Sequence, residues 1–162
     1  MPYPGITLRP IGPDDLSFLY QVHASTRLDE LAPLNWPQEQ TDHFFQMQFS
    51  AQHTYYQQHY ADAAFDLILL DEQTIGRLYV ERTAAAIHII DITLLPEYRK
   101  RGIGSVLLAD LLDEATKTKK KVQIYVEKRN PALHLYQRLG FCELQDTGVY
   151  YFMEWAPSQP RG

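Results

Sequence analysis

The chain has 162 residues, 45% hydrophobic and 22% charged, with a formal net charge of -5 and one cysteine. That length suits one domain with an adequate core, and the composition is that of a folded chain rather than a disordered one. The net acidity argues against a general nucleic-acid binder.

Cys142 has no partner for an internal disulfide, and the opening MPYPGITLRP lacks the basic and apolar regions of a signal peptide. The longest apolar-rich run, AAAIHIIDITLLP, is short and broken by His88 and Asp91, so no membrane span is expected. These features predict a cytoplasmic protein with neither membrane nor nucleic-acid partners.

In chain order, ITLRPI predicts a short strand, and GPDD opens a helix over about 14–24. WPQEQTDHFFQMQFSAQHTYYQQHY carries Phe44, Phe45, Met47, Gln48, Phe49, Gln52, Tyr55, Tyr56 and Tyr60 at mixed spacings of three and four, as an amphipathic helix does. FDLILLD, TIGRLYVER and AAIHIIDITLLP, separated by short polar breaks, predict a three-strand antiparallel meander. IGSVLLADLLDEATKT sets Ile103, Val106, Leu107, Leu111 and Ala115 on one helical stripe, with Asp113 and Glu114 opposite. VQIYVE is a strand. NPALHLYQRLG is a helix with Asn130 at its cap, Pro131 in its first turn and Gly140 as its stop. FCELQ and VYYFMEW complete the sheet. The order βααβββαβαββ describes a single α/β domain over 1–156, with 157–162 as a flexible tail.

The junction PEYRKRGIGSVLLADLL lies between the third strand of the meander and the helix that follows. It lacks the spacing and the lysine of a Walker loop. It also lacks the third glycine of a dinucleotide fingerprint, because Leu107 stands there. What is left is R-x-x-G-x-G, formed by Arg99, Gly102 and Gly104 at a helix N-terminus. Free N–H groups and the helix dipole make such a terminus an anion site, and glycines let an oxyanion approach the backbone. A plain strand-to-helix turn with solvated basic residues accounts for the same residues, and both readings stand on this stretch alone.

About 25 residues later comes VEKRNPALHLYQRLGF. The series strand, P-E-Y-R-x-x-G-x-G, helix, strand, N-P-A-x-x-L-Y-x-x-x-G-F resembles the GNAT superfamily of acetyl-CoA-dependent N-acetyltransferases over about 87–141. The resemblance implies a mixed, mostly antiparallel central sheet flanked by helices. It implies acetyl-CoA as cosubstrate and no metal. The coenzyme pyrophosphate is expected on Lys100, Arg101, Gly102, Ile103, Gly104 and Ser105, with Arg99 adding charge. The backbone of Ile92, Thr93 and Leu94 is expected to pair with the pantetheine as an added strand would, the Leu94 N–H being the expected oxyanion donor. Asn130 is expected to serve as both cap and coenzyme contact. Lys128 and Arg129 are weaker phosphate candidates, and Lys117, Lys119, Lys120 and Lys121 are better explained by the helix dipole and solvent.

The resemblance places Tyr136 beside the sulfur as general acid. A free tyrosine titrates near 10 and a thiol near 8.5, so full proton transfer is uphill by roughly 1.5 units, or about 2 kcal/mol. Asp91, Glu81, Glu127 and Tyr125 border the expected acceptor cleft, with no base assigned among them. Gln48, Gln52, His53, Tyr55, Tyr56, His59 and Tyr60 supply one wall, about half of them as core. The expected function is acetyl transfer from acetyl-CoA to a primary amine of a small molecule or peptide, a homodimer being one permitted assembly. The alternatives are a non-catalytic acyl-CoA sensor and an interaction module on the same fold.

Overall fold

The computed structural model describes residues 3–31 and 34–157, the side chains of 28–31 excepted; most of the expected tail, 158–162, lies outside them. In chain order the elements are β1 (Ile6–Pro10), α1 (Leu16–Leu31), α2 (Gln38–His59), β2 (Ala64–Leu70), β3 (Gln73–Arg82), β4 (Ala86–Leu94), α3 (Ile103–Thr118), β5 (Lys121–Glu127), α4 (Leu133–Leu139), β6 (Cys142–Asp146) and β7 (Tyr150–Trp155). This is the expected order, with single 3-10 turns at Pro13–Asp15 and Pro96–Tyr98.

Two boundaries and one buried stripe differ from expectation. The helix expected over 14–24 begins later and runs longer, as α1, because Pro13–Asp15 form a 3-10 turn and no glycine or proline interrupts SFLYQVHASTRLDEL. Asn130 caps a turn ahead of α4 rather than α4 itself. Its side-chain oxygen accepts the Ala132 N–H at 2.9 Å and its carbonyl accepts the Leu133 N–H at 3.0 Å. On α3, Val106 is only half-buried while Leu108 and Leu112 join the buried stripe, and Glu114 is drawn to Arg82 across 2.6 Å.

The strands form one seven-stranded sheet in the order β1-β2-β3-β4-β5-β7-β6. Every neighbouring pair is antiparallel except β4 and β5. A strand followed by a helix and a return strand requires such a parallel crossover, and α3 supplies it. On one face Ile68, Leu78, Val80, Ile87, Ile89, Val122 and Ile124 pack against α3 and α4. On the other, Leu67 and Tyr79 pack with Leu19 of α1 and Phe49 of α2.

Two irregularities in β4 prepare the site. Tyr79 pairs with Asp91 while Val80 pairs with Ile89, so Ile90 is an extra residue, a β-bulge. Strand side chains alternate faces, and an inserted residue reverses the alternation beyond it. Ile87 and Ile89 therefore share the α3 side with Ile92, whereas Ile90 joins the α1/α2 side. In addition, β4 pairs with β5 only from Ala86↔Lys121 to Ile89↔Ile124, while β5 stays with β7 out to Glu127↔Tyr150. The C-terminal half of β4 thus separates from β5 and opens a wedge.

Candidate functional site

The wedge is a cavity of about 70 Å³ lined by Ile90, Asp91 and Ile92 of β4, Ile124, Tyr125 and Val126 of β5, and Asn130 and Tyr136. Backbone parity decides which amides face it. The Leu95 N–H donates to the Ile75 carbonyl on β3 at 2.8 Å, and Thr93 lies opposite Arg77. Residues 93 and 95 thus turn their polar groups to β3, and residues 92 and 94 turn theirs the other way. Consistent with this, the Leu94 carbonyl accepts Nε of Arg99 at 3.0 Å from outside the sheet. The Ile92 main chain and the Leu94 N–H thus turn away from β3, whereas the Thr93 main chain turns toward it. The Thr93 hydroxyl instead donates to the Asp91 carboxylate at 2.7 Å.

At the open end of β4 the chain passes through Lys100 (φ +61°) and Gly102 (φ +84°) before entering α3. Both sit in the left-handed region, which Gly tolerates and Lys adopts at a cost. The first helical bond runs from the Val106 N–H to the Gly102 carbonyl at 3.1 Å, and no side chain caps this end. The N–H groups of Ile103, Gly104 and Ser105 are therefore left over. A Cβ placed on Gly102 or Gly104 would meet nothing within 4 Å, so open space lies over these amides. That combination fits a pyrophosphate.

The basic residues divide. Arg101 lies over the Tyr98 ring at 5.3 Å, and Arg99 braces Leu94. Lys128 pairs with Asp146 at 2.6 Å and lies over Tyr151, and Lys121 pairs with Glu154 at 3.5 Å, so each already has an anionic partner. Lys100 and Arg129 are exposed.

Tyr136 is 3% exposed and meets Phe141 edge-on at 5.6 Å. Burial first, and the Asp91 charge second, push its phenol well above the ordinary tyrosine value, so it stays protonated. On the other side of the sheet, Tyr56 of α2 is shifted upward by the same two causes in the same order. The Asp91 carboxylate thus lies within electrostatic reach of a phenol from each layer.

Arg77 of β3, which sequence patterning did not single out, is the residue that organises this region. It is 3% exposed, donates to Asp91 at 2.6 Å and to Gln52 of α2 at 3.2 Å, and lies over the Tyr79 ring at 5.4 Å. The available signal was parity: Arg77 stands two residues from Tyr79, in the middle of the run Ile75, Gly76, Leu78, Tyr79 and Val80. Of the remaining candidates, Glu127 pairs with Arg27 at 3.5 Å, Glu81 stands opposite His88, and Tyr125 is 49% exposed beside the wedge. Along α2, Gln48 meets the buried His23 at 3.3 Å and His53 stacks on Phe49. Tyr55 and His59 stack on each other in the open, and Tyr60 meets His88 edge-on.

The fold is shared with solved structures. The PaiA N-acetyltransferase of Thermoplasma acidophilum, solved with coenzyme A, superposes with a TM-score of 0.70 at 22% identity, over 93% of this chain and 98% of that one. Naa50 of Arabidopsis thaliana, solved with the bisubstrate analogue CoA-Ac-MVNAL, gives 0.61 at 18% identity, over 94% and 99%. In sequence, an N-alpha-acetyltransferase of Sulfurisphaera tokodaii is 34% identical over 67 residues, a stretch that spans only 40% of this chain and 40% of that protein. The model of the Acetyltransferase (GNAT) family matches residues 27–141, which include α2, the bulged β4, the glycine turn and Tyr136, and the chain therefore belongs to that family.

Proposed function

We propose that the protein is an N-acetyltransferase that moves the acetyl group of acetyl-CoA to a primary amine. The observation that carries this reading is the wedge, in which unpaired backbone of β4 runs into a glycine-opened helix N-terminus with Tyr136 beside it.

Acetyl-CoA supplies the activated acyl group and a thiol as leaving group. The Ile103, Gly104 and Ser105 amides would hold its pyrophosphate. The Ile92 and Leu94 backbone would pair with its pantetheine amides, and the Leu94 N–H would serve the thioester oxygen as negative charge builds there. Asn130, in the lining, would contact the same arm. Tyr136 would donate a hydrogen bond to the departing sulfur. Its raised phenol makes outright proton transfer costlier than the roughly 2 kcal/mol of unperturbed groups, so hydrogen bonding is its main role, and solvent takes the proton that the acylated nitrogen sheds and supplies the one that completes the thiol.

The acceptor would enter from the α2 side, past Tyr56 and Asp91. A peptide N-terminus is the first acceptor to try, since the relatives similar in sequence are N-alpha-acetyltransferases and the ligand in Naa50 carries a peptide. Small-molecule amines come second.

The test is calorimetry with acetyl-CoA followed by an acetylation screen over peptides and small amines. Micromolar binding and product formation are expected. Binding without transfer to any amine would favour an acyl-CoA sensor, and no binding would remove the reading altogether.

A further inference from the structure

We propose that the buried Arg77–Asp91 pair is a register device for β4, and that Arg77 is thereby a positioning residue for the Ile92 and Leu94 amides. The function of those amides rests on the acetyltransferase reading; the register argument does not.

The apolar pattern of β4 does not select a register. Isoleucine or leucine occupies positions 89, 90, 92, 94 and 95, so apolar side chains suit either face whether or not Ile90 is looped out. Only Asp91 and Thr93 distinguish the two arrangements. With the bulge, both lie on the α1/α2 side, where Arg77 and the Thr93 hydroxyl satisfy the Asp91 carboxylate at 2.6 and 2.7 Å. Without it, β4 would slip by one residue. Asp91 would then enter the face held by Ile87 and Ile89, opposite Leu78 among apolar side chains, where Arg82 is already paired with Glu114, and Arg77 would stay buried without its counter-charge.

Backbone direction follows from the same choice. In the slipped register, residues 92 and 94 would turn their N–H groups to β3 and residues 93 and 95 would face the wedge. The ion pair therefore decides which amides the wedge receives. The titratable groups facing Asp91 are Arg77 and Tyr79 from β3, Tyr56 from α2 and Tyr136 from α4, so Arg77 is its cation. Gln52 adds a tie to α2, joining the acceptor-side helix to the same device.

The test is residue-resolved amide hydrogen exchange on the free protein. In the wild-type chain, Thr93 and Leu95 should exchange at least about tenfold more slowly than Ile92 and Leu94. The double variant Arg77→Met/Asp91→Leu replaces the pair with apolar volume, a change that buried pairs tolerate, whereas Arg77→Met alone strands a carboxylate. In the double variant the pattern should even out or invert, with acetyl-CoA affinity reduced about tenfold or more; Arg77→Lys, which retains the charge, should keep the wild-type pattern. A folded double variant with wild-type exchange, or inversion in Arg77→Lys, would overturn the proposal. Failure of the wild-type chain to bind acetyl-CoA would count against the proposed function alone, because exchange in the free protein still judges the register.

Discussion

Tyr136 and Gly76 show how much a single position decides. Tyr136 is buried with its phenol held protonated, in the lining of the wedge. If it serves the leaving group, Tyr136→Phe should lower turnover about 100-fold or more while acetyl-CoA affinity stays within about twofold. Unchanged turnover in steady-state assays would end that assignment. Gly76 is buried where β3 crosses β4, and a Cβ there would run into the Thr93 carbonyl and come within 3.1 Å of the Leu94 Cα. Gly76→Ala should therefore cost about 1–3 kcal/mol in denaturant unfolding, because backbone cannot yield as a side-chain tip can. A neutral result would mean that β3 and β4 separate more easily than their pairing suggests.

Among the elements, α3 combines two tasks that one substitution can separate. Its buried stripe packs on the sheet, while its first turn leaves three amides open beneath two glycines. Gly104 lies inside the helix without positive φ, so Gly104→Glu should gain roughly 0.5–1 kcal/mol of helix propensity and a few tenths more from the dipole. The same carboxylate would repel a pyrophosphate. Melting temperature should hold or rise while acetyl-CoA affinity in calorimetry falls at least tenfold; affinity unchanged beside a wild-type melt would remove the phosphate from this helix. The turn was legible from its glycine spacing, although that stretch alone suited a plain turn and an anion site equally. The later start of α4 was less so, because Asn130 and Pro131 suit a capped turn and a capped helix equally.

Over the whole molecule, burial sets the pH window of stability. His23, His53 and His88 have lowered values, burial being the first cause of each, so the folded protein resists their protonation. The unfolded chain takes up those protons below about pH 6.5, and stability should be lost progressively as pH falls from there. Tyr56, Tyr79 and Tyr136 are raised by burial, Tyr79 to about 12. The unfolded chain releases their protons from about pH 10, and stability should be lost again as pH climbs through about 12. Thermal melts across pH 5 to 12 should show a plateau between these limits; a melting temperature that rises below pH 6 would contradict the histidine part.

By itself the sequence determined the element order, the meander, the glycine turn and the two-motif resemblance to the family, because each rests on local periodicity or spacing along the chain. Tertiary structure alone decided that Ile90 bulges, that β4 leaves β5 after Ile89, and that Thr93 turns its backbone to β3 while Ile92 and Leu94 turn theirs to the wedge. Those outcomes depend on what lies across the sheet. The buried guanidinium of Arg77, fourteen positions before Asp91 and one strand away, makes the bulged register the one in which the carboxylate has a partner. A run of isoleucines that suits either face cannot carry that information, and a charge in need of its counter-charge can.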